Sequence, residues 1–240
     1  MVSDAKDLNF NEKNYVCFSN SFALARQNLS KLSAIILRVL ISNIMPNDEK
    51  FFTYCFSVVE LSSFIKKNKS NIYHDAPKIC RELEKFTVYE KNKEIHVFAF
   101  VKYQNGLFYI KLDDRMKPYF LNLEKFYLQY PLETVLYLKN SYSLRMLEIV
   151  WARDGLYRHE KSILDFEVSE IREALGCNTK YKSFDSFCRK VITPALIEIS
   201  LYTDLICKII GKEKDKNHRR IVTIKIEIHK KPADPGQILL

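Results

Sequence analysis

The chain has 240 residues, enough for one large domain or two small ones. With 47% hydrophobic residues, 16 Phe and 14 Tyr it can fill real cores, and with only 5 Gly and 7 Pro a long flexible linker is excluded. A formal net charge of +9 favours an anionic partner (nucleic acid, a membrane surface or an acidic protein), and does not by itself choose among them.

No apolar stretch approaches membrane-spanning length, and residues 1–11 are polar with no signal-peptide pattern, so a soluble, cytoplasmic protein with no membrane partner is expected. The six cysteines include no pair two residues apart and none near a histidine at zinc-ligand spacing. They read as small buried hydrophobes in a reducing compartment, and neither a metal nor another cofactor is expected.

In chain order, residues 30–44 place Leu32, Ile35, Ile36, Val39, Leu40 and Ile44 at helical spacing, which predicts an amphipathic helix with one buried face. Residues 52–56 suit a short strand. Ser57 and Glu60 then form a capping-box signature that starts a helix running to about Lys66. A polar turn at 67–71 precedes a second helix predicted over 75–86, with Asp75 as N-cap because Pro77 is tolerable only in a first turn. A strand over 95–103, the hairpin dipeptide Asn105-Gly106 and a return strand over 107–112 complete the half. Helix, strand, helix, turn, helix, hairpin is the order of a winged helix, a helix-turn-helix carrying a β-hairpin wing.

Residues 113–131 join the halves, and a long helix is predicted over 132–152. The order then repeats. A strand at 163–166 leads to a helix at 168–175 stopped by Gly176, then a turn at 178–182 and the cleanest amphipathic series of the chain, 183–200, which Pro194 should kink. A strand at 205–210, a charged loop at 211–218 and an alternating strand at 220–228 follow. The expected architecture is therefore α+β with two tandem winged-helix domains, 1–130 and 131–230, and a disordered tail at 231–240. Val58, Glu60 and Leu61 stand 110 residues before Val168, Glu170 and Ile171, consistent with a duplicated unit.

Charge is not evenly spread. Residues 176–231 carry 13 Lys and Arg against 6 Asp and Glu, a net +7 of the chain's +9. Lys180, Lys182 and Ser183 lead into the amphipathic helix, and Ser186, Arg189, Lys190 and Thr193 lie opposite its apolar face, where a recognition helix meets base edges and phosphates. Lys212, Lys214, Lys216, His218, Arg219 and Arg220 occupy the position of a wing. In the first half Lys66, Lys67, Lys69, Ser70, Asn71 and His74 precede the helix carrying Lys78 and Arg81, a secondary DNA contact. The first hairpin is apolar on both faces, so Phe98 and Phe100 are either buried or part of a dimerisation surface.

Tyr137-Leu138-Lys139-Asn140-Ser141-Tyr142-Ser143-Leu144-Arg145-Met146-Leu147-Glu148 resembles the "LKSxYSxRLYELL" segment of Rep_3-type plasmid replication initiators, with Asn140 where Ser is usual and Met146 where Leu is usual. Tyr181-Lys182-Ser183-Phe184, Phe187, the run from Arg189 to Ala195, and Glu198-Ile199 resemble that family's second signature. The resemblance spans residues 18–228. It implies two winged-helix domains that bind directly repeated origin sequences (iterons) in double-stranded DNA. It also implies a monomer that initiates replication, a dimer that represses its own promoter, and recruitment of the host replication initiator and helicase.

No enzyme is expected. A rolling-circle nickase needs paired metal-binding histidines near a nucleophilic Tyr, and no two of His74, His96, His159, His218 and His229 are close in sequence. Asp113-Asp114 reads as a helix N-cap, and no GxxxxGK loop exists for ATP. A plain transcription repressor shares every physical feature above. Winged helices that bind protein partners would leave the concentrated charge unexplained.

Overall fold

The computed structural model describes residues 5–45, 47–90, 93–154, 161–217 and 219–232. The chain divides into two compact units, Met1–Ser141 and Tyr142–Leu240.

Unit 1 runs β1 (Lys6–Asp7), β2 (Tyr15–Ser19), α1 (Asn20–Leu24), α2 (Lys31–Ser42), β3 (Thr53–Ser57), α3 (Val58–Ile65), α4 (Lys69–Glu84), β4 (Thr87–Glu90), β5 (Lys93–His96), β6 (Phe98–Gln104) and β7 (Leu107–Leu112). A 3-10 turn, α5 (Lys117–Phe120), β8 (Tyr127–Pro131) and α6 (Thr134–Tyr137) complete it. The main sheet has the order β1-β3-β7-β6, while β2 pairs with β8 and β4 with β5.

Ser30 caps α2, its Oγ accepting the Ser33 N–H, but the helix is not half-exposed as the sequence suggests. Every residue from Ser33 to Ser42 is buried, because the chain before it and after the hairpin wraps the side that would otherwise face water. Arg38 is buried with the rest and donates from Nη2 to Gln27 Oε1 at 2.8 Å. The segment 113–131, read as a connection, belongs to this wrapping: β8 lies antiparallel to β2 with Tyr15 opposite Pro131.

The capping box forms. Ser57 Oγ accepts the Glu60 N–H at 3.1 Å and Glu60 Oε2 accepts the Ser57 N–H at 2.7 Å. The next helix begins six residues earlier than predicted. Its N-cap is Asn68, whose Oδ1 accepts the Ser70 N–H at 2.9 Å, and not Asp75. Pro77 therefore sits inside α4 at an exposed position, and the hydrogen bond that an N–H there would make to Tyr73 O is lost. The predicted strand at 95–103 is interrupted at Val97, and its first part pairs with β4, a strand the sequence reading missed. Asn105 and Gly106 both have positive φ (53° and 80°), as the tight turn between β6 and β7 requires.

Unit 2 contains α7 (Ser141–Asp154), β9 (Lys161–Glu167), α8 (Val168–Ala174), α9 (Phe184–Phe187), a π-helical turn (Cys188–Ile192), α10 (Thr193–Tyr202), β10 (Leu205–Lys214) and β11 (Ile221–Lys230). The single long helix expected at 132–152 is two helices, broken at residues 138–140, and the division between units falls just after that break, between Ser141 and Tyr142. The sheet order is β10-β11-β9, all antiparallel. On β11, Ile224, Ile226 and Ile228 are buried as the alternation predicts. Residues 233–240, most of the expected tail, lie outside the described residues.

The helix over 184–202 is continuous, and Pro194 is accommodated by widening it. The Thr193 N–H reaches back to Cys188 O, so the hydrogen-bond ladder has already slipped when the residue without an N–H arrives. Phe187, Val191, Ile192, Ala195, Leu196 and Ile199 are buried, as the amphipathic series requires. Beneath them α7 carries a buried ion pair, Arg145 Nη1 to Glu148 Oε2 at 2.5 Å. Ser143 Oγ also donates to Glu198, so the two stretches of family resemblance touch.

Candidate nucleic-acid interface

Each unit presents a helix-turn-helix, α3–α4 in unit 1 and α8 with the 184–202 helix in unit 2. In unit 2, Lys180, Lys182, Ser183, Arg189, Lys190 and Thr193 are exposed and Ser186 is half-buried. Ser183 is first a structural residue: its Oγ accepts the Ser186 N–H at 3.2 Å and caps the helix, leaving only its O–H to donate outward.

The turn before this helix depends on a residue that sequence reasoning did not single out. Arg172, on α8, donates from Nη1 to Lys180 O at 3.0 Å, and from Nη2 to Tyr181 O at 2.8 Å and Ser183 O at 3.3 Å. Its guanidinium lies over the Phe187 ring, 4.1 Å from the centroid. Burial lowers its pKa somewhat from the ordinary arginine value. The planar fork ties down a loop in which Tyr181 has φ 51°, a costly conformation for a side-chain-bearing residue. The only sequence signal was an arginine one turn after Val168, at the border of the buried face of α8.

The wing of unit 2 is longer than predicted. Lys212 and Lys214 lie on β10 itself, and the tip is reduced to residues 215–220. One register shift leaves Ile210 as an extra residue between Ile209 and Gly211, which bends the strand. Lys212 Nζ stands 5.3 Å from the Phe184 ring, which joins the wing base to the start of the recognition helix. Asp215 shapes the tip, its Oδ1 accepting the N–H groups of Arg219 at 2.8 Å and Arg220 at 3.3 Å. The Arg219 amide bond leads the causes that hold its carboxyl below the usual range. His218 lies outside the described residues.

The electrostatics separate two kinds of cation. On the body of the sheet, Glu227 binds Lys161 at 2.6 Å and Lys208 at 3.1 Å, and Lys225 reaches Glu213 at 2.8 Å. Among the described residues, Lys180, Lys182, Arg189, Lys190, Lys214, Lys216, Arg219 and Arg220 make no ion pair, and all are exposed. Glu213 and Asp215, which alternate with the wing lysines in sequence, are thus committed to Lys225 and to backbone amides.

In unit 1, the new start of α4 moves Lys69, Ser70, Asn71 and His74 from a preceding turn onto the helix, all exposed, with Lys78 one turn beyond His74. Lys67 remains in the turn, behind Lys66 at φ 53°. His74 Nδ1 lies 3.3 Å from Asp75 Oδ1. Phe98 is buried beside Phe86 with ring centroids 6.5 Å apart, and Phe100 is half-buried. The burial reading therefore describes Phe98. Asp113 is an N-cap, accepting the Arg115 N–H at 2.9 Å. Among the described residues no group of three or more His, Cys, Asp and Glu could hold a metal ion, and no helix is long and apolar enough to cross a membrane.

Two helix-turn-helix units, each followed by an antiparallel hairpin, define a tandem winged-helix protein. Two family models match it: "Initiator Replication protein, WH1" over residues 15–150 and "Initiator Rep protein, WH2" over residues 167–228. The chain belongs to this family of replication initiator proteins. It is 22% identical over 197 residues to an Escherichia coli replication initiation protein, covering 78% of this chain and 62% of that protein. It thus spans less than two thirds of that relative's length. A crystal structure of Pi initiator protein in complex with iteron DNA is similar with a TM-score of 0.73 at 18% identity, covering 93% of this chain and all of that one. That likeness is one of fold.

Proposed function

We propose that the chain initiates replication by binding directly repeated sequences in double-stranded DNA, with unit 2 reading bases and unit 1 mainly positioning the protein. The observation that carries this reading is the set of exposed cations without an ion pair around one helix and the outer end of the wing of unit 2, beside a sheet body in which Lys161, Lys208 and Lys225 are paired. A merely solubilising surface would not sort its charges in this way. The family and the iteron complex of the similar Pi protein support the choice of ligand. Arg189 supplies a planar fork for a guanine edge, and Lys214, Lys216 and Arg219 follow phosphates.

Binding to tandem direct repeats and to a scrambled duplex across a salt series tests the reading. Selective binding to the repeats supports an initiator. Preference for a single inverted repeat would support the repressor reading instead. Self-association, repression by a dimer, and recruitment of host initiator and helicase belong to the same proposal. With Phe98 buried, association at the first hairpin would use Phe100 and the open edge of β6, and sedimentation of Phe100→Glu tests that.

A further inference from the structure

The exposed face of α4 does not end where a DNA groove would receive it. Lys78, Arg81 and Lys85 continue it at intervals of three and four residues, a single stripe down the helix to its C-cap. The stripe borders an open cleft of about 480 Å3, also lined by Arg26 and Asn28 from the segment between α1 and α2. Four exposed cations share this concavity, and among the described residues none of them forms an ion pair.

Two carboxylates line the same cleft, and each accepts hydrogen bonds from neutral donors. Glu82 Oε2 accepts the Ser33 hydroxyl at 2.6 Å and the Ser30 N–H at 3.2 Å, at the N-terminus of α2 where helix polarity favours an anion. Glu94 accepts the Thr87 hydroxyl at 2.8 Å. The fold uses its local acids to hold itself together and leaves Arg26, Lys78, Arg81 and Lys85 unneutralised. Four cations against two carboxylates leave the concavity net positive, and a concave surface with an excess of one sign concentrates counter-ions. Two guanidinium forks and two ammonium groups, with Asn28 as a neutral donor, match phosphate oxygens.

We propose that this cleft is a phosphate site of the first winged helix, and that its ligand is the sugar–phosphate backbone of the duplex beyond the stretch met by the first turns of α4. The inference rests on reading α4 as a DNA-contacting helix. It adds Arg26 and Lys85 to an interface that otherwise ends at Arg81. Contacts there are independent of sequence, lengthen the footprint and steepen the salt dependence.

The test uses the full chain with Arg26→Ala and Lys85→Ala combined, both surface positions, and a folding check by circular dichroism. Binding is measured on two duplexes sharing one selected repeat, one ending at the repeat and one extended by about ten base pairs on each side, roughly one helical turn. On the extended duplex the variant should bind about tenfold more weakly at ordinary salt, with a salt slope shallower by about two units. On the short duplex it should match the wild type. Equal behaviour of variant and wild type on both duplexes overturns the proposal, as does an equal loss on both. Titration with inorganic tripolyphosphate separates the two sources of phosphate: affinity for it in the wild type, lost in the variant with no length effect on DNA, overturns the backbone assignment in favour of a free anion. A wild type that binds neither duplex overturns the DNA reading itself. The charge-preserving pair Arg26→Lys and Lys85→Arg should restore the length effect, and a failure to do so counts against the site.

Discussion

The two winged helices share an element order and differ in how the wing is used. In unit 1 the hairpin is built into the helix-turn-helix: Gly106 O accepts the Val58 N–H at 3.0 Å, and a side chain at Gly106 would meet the Tyr73 ring of α4 at 3.5 Å. In unit 2 the hairpin strands are ten residues each, Asp215 holds the tip, and among the described residues the cations there make no ion pair. Net charge does not separate the units, since residues 1–141 sum to +5 and residues 142–240 to +4. What separates them is where the acids go. The aligned glutamates show it: Glu60 closes a capping box, whereas Glu170 pairs with Arg153. A wing pinned to its own helices contributes to stability, and a wing whose tip carries free cations is available to a polyanion.

The largest expected effect tests whether the units are also separate in stability. Glu148→Ala strips the buried partner from Arg145 and should destabilise unit 2 by about 3–5 kcal/mol. Trp151, the single tryptophan, is buried in this unit, so its fluorescence reports unit 2 alone in urea unfolding. Removing the neutral partner of Arg38, by Gln27→Ala, should cost only about 1–2 kcal/mol and leave the tryptophan transition in place. A shift of that transition would mean that the units unfold as one.

Base reading is the next comparison. Arg189→Ala should cost on the order of 1–3 kcal/mol on the cognate repeat and little on scrambled DNA. Asn71→Ala in α4 should discriminate less. The reverse ranking would make unit 1 the reader. If Arg189→Ala weakens both duplexes equally, Arg189 holds a phosphate and the bases are read from Lys182, Ser186 or Lys190.

Arg172→Lys keeps the charge and loses the fork that holds the Lys180–Ser183 carbonyls, so cognate affinity should fall roughly tenfold, about 1.4 kcal/mol, with scrambled DNA little changed. Lys214→Ala should weaken both duplexes alike and lower the salt slope by about one unit.

The smallest effect concerns acid. Asp215 has a folded pKa below its unfolded one, so the order it lends the tip is complete above the ordinary carboxylate range and is lost as pH falls through the depressed value. Faster amide exchange at Arg219 and Arg220 below that range, with the core unchanged, would show it. Protection that persists through it would mean that strand pairing alone holds the tip.

Several features were already determined by sequence. The capping box, the positive-φ pair Asn105-Gly106, the Gly176 stop at φ 62° and the apolar series over 183–200 are local: each depends on residues within one or two turns of each other. The doubled order of elements and the concentration of charge near the C-terminal helix and hairpin follow from those local features. Tertiary structure decided the rest, because packing and pairing join residues far apart in the chain. It buried α2 on all sides and drew residues 113–131 into unit 1 through β2. It set Pro77 inside α4, since a helix started by Asn68 carries the proline on a face open to water, and so placed Lys69 to His74 on the helix. It also buried Phe98 and brought Arg172 to the carbonyls before the recognition helix. The sorting of cations into paired and unpaired was likewise out of reach of composition, because Glu227, Glu213 and Lys225 meet only when β11 takes its place between β9 and β10.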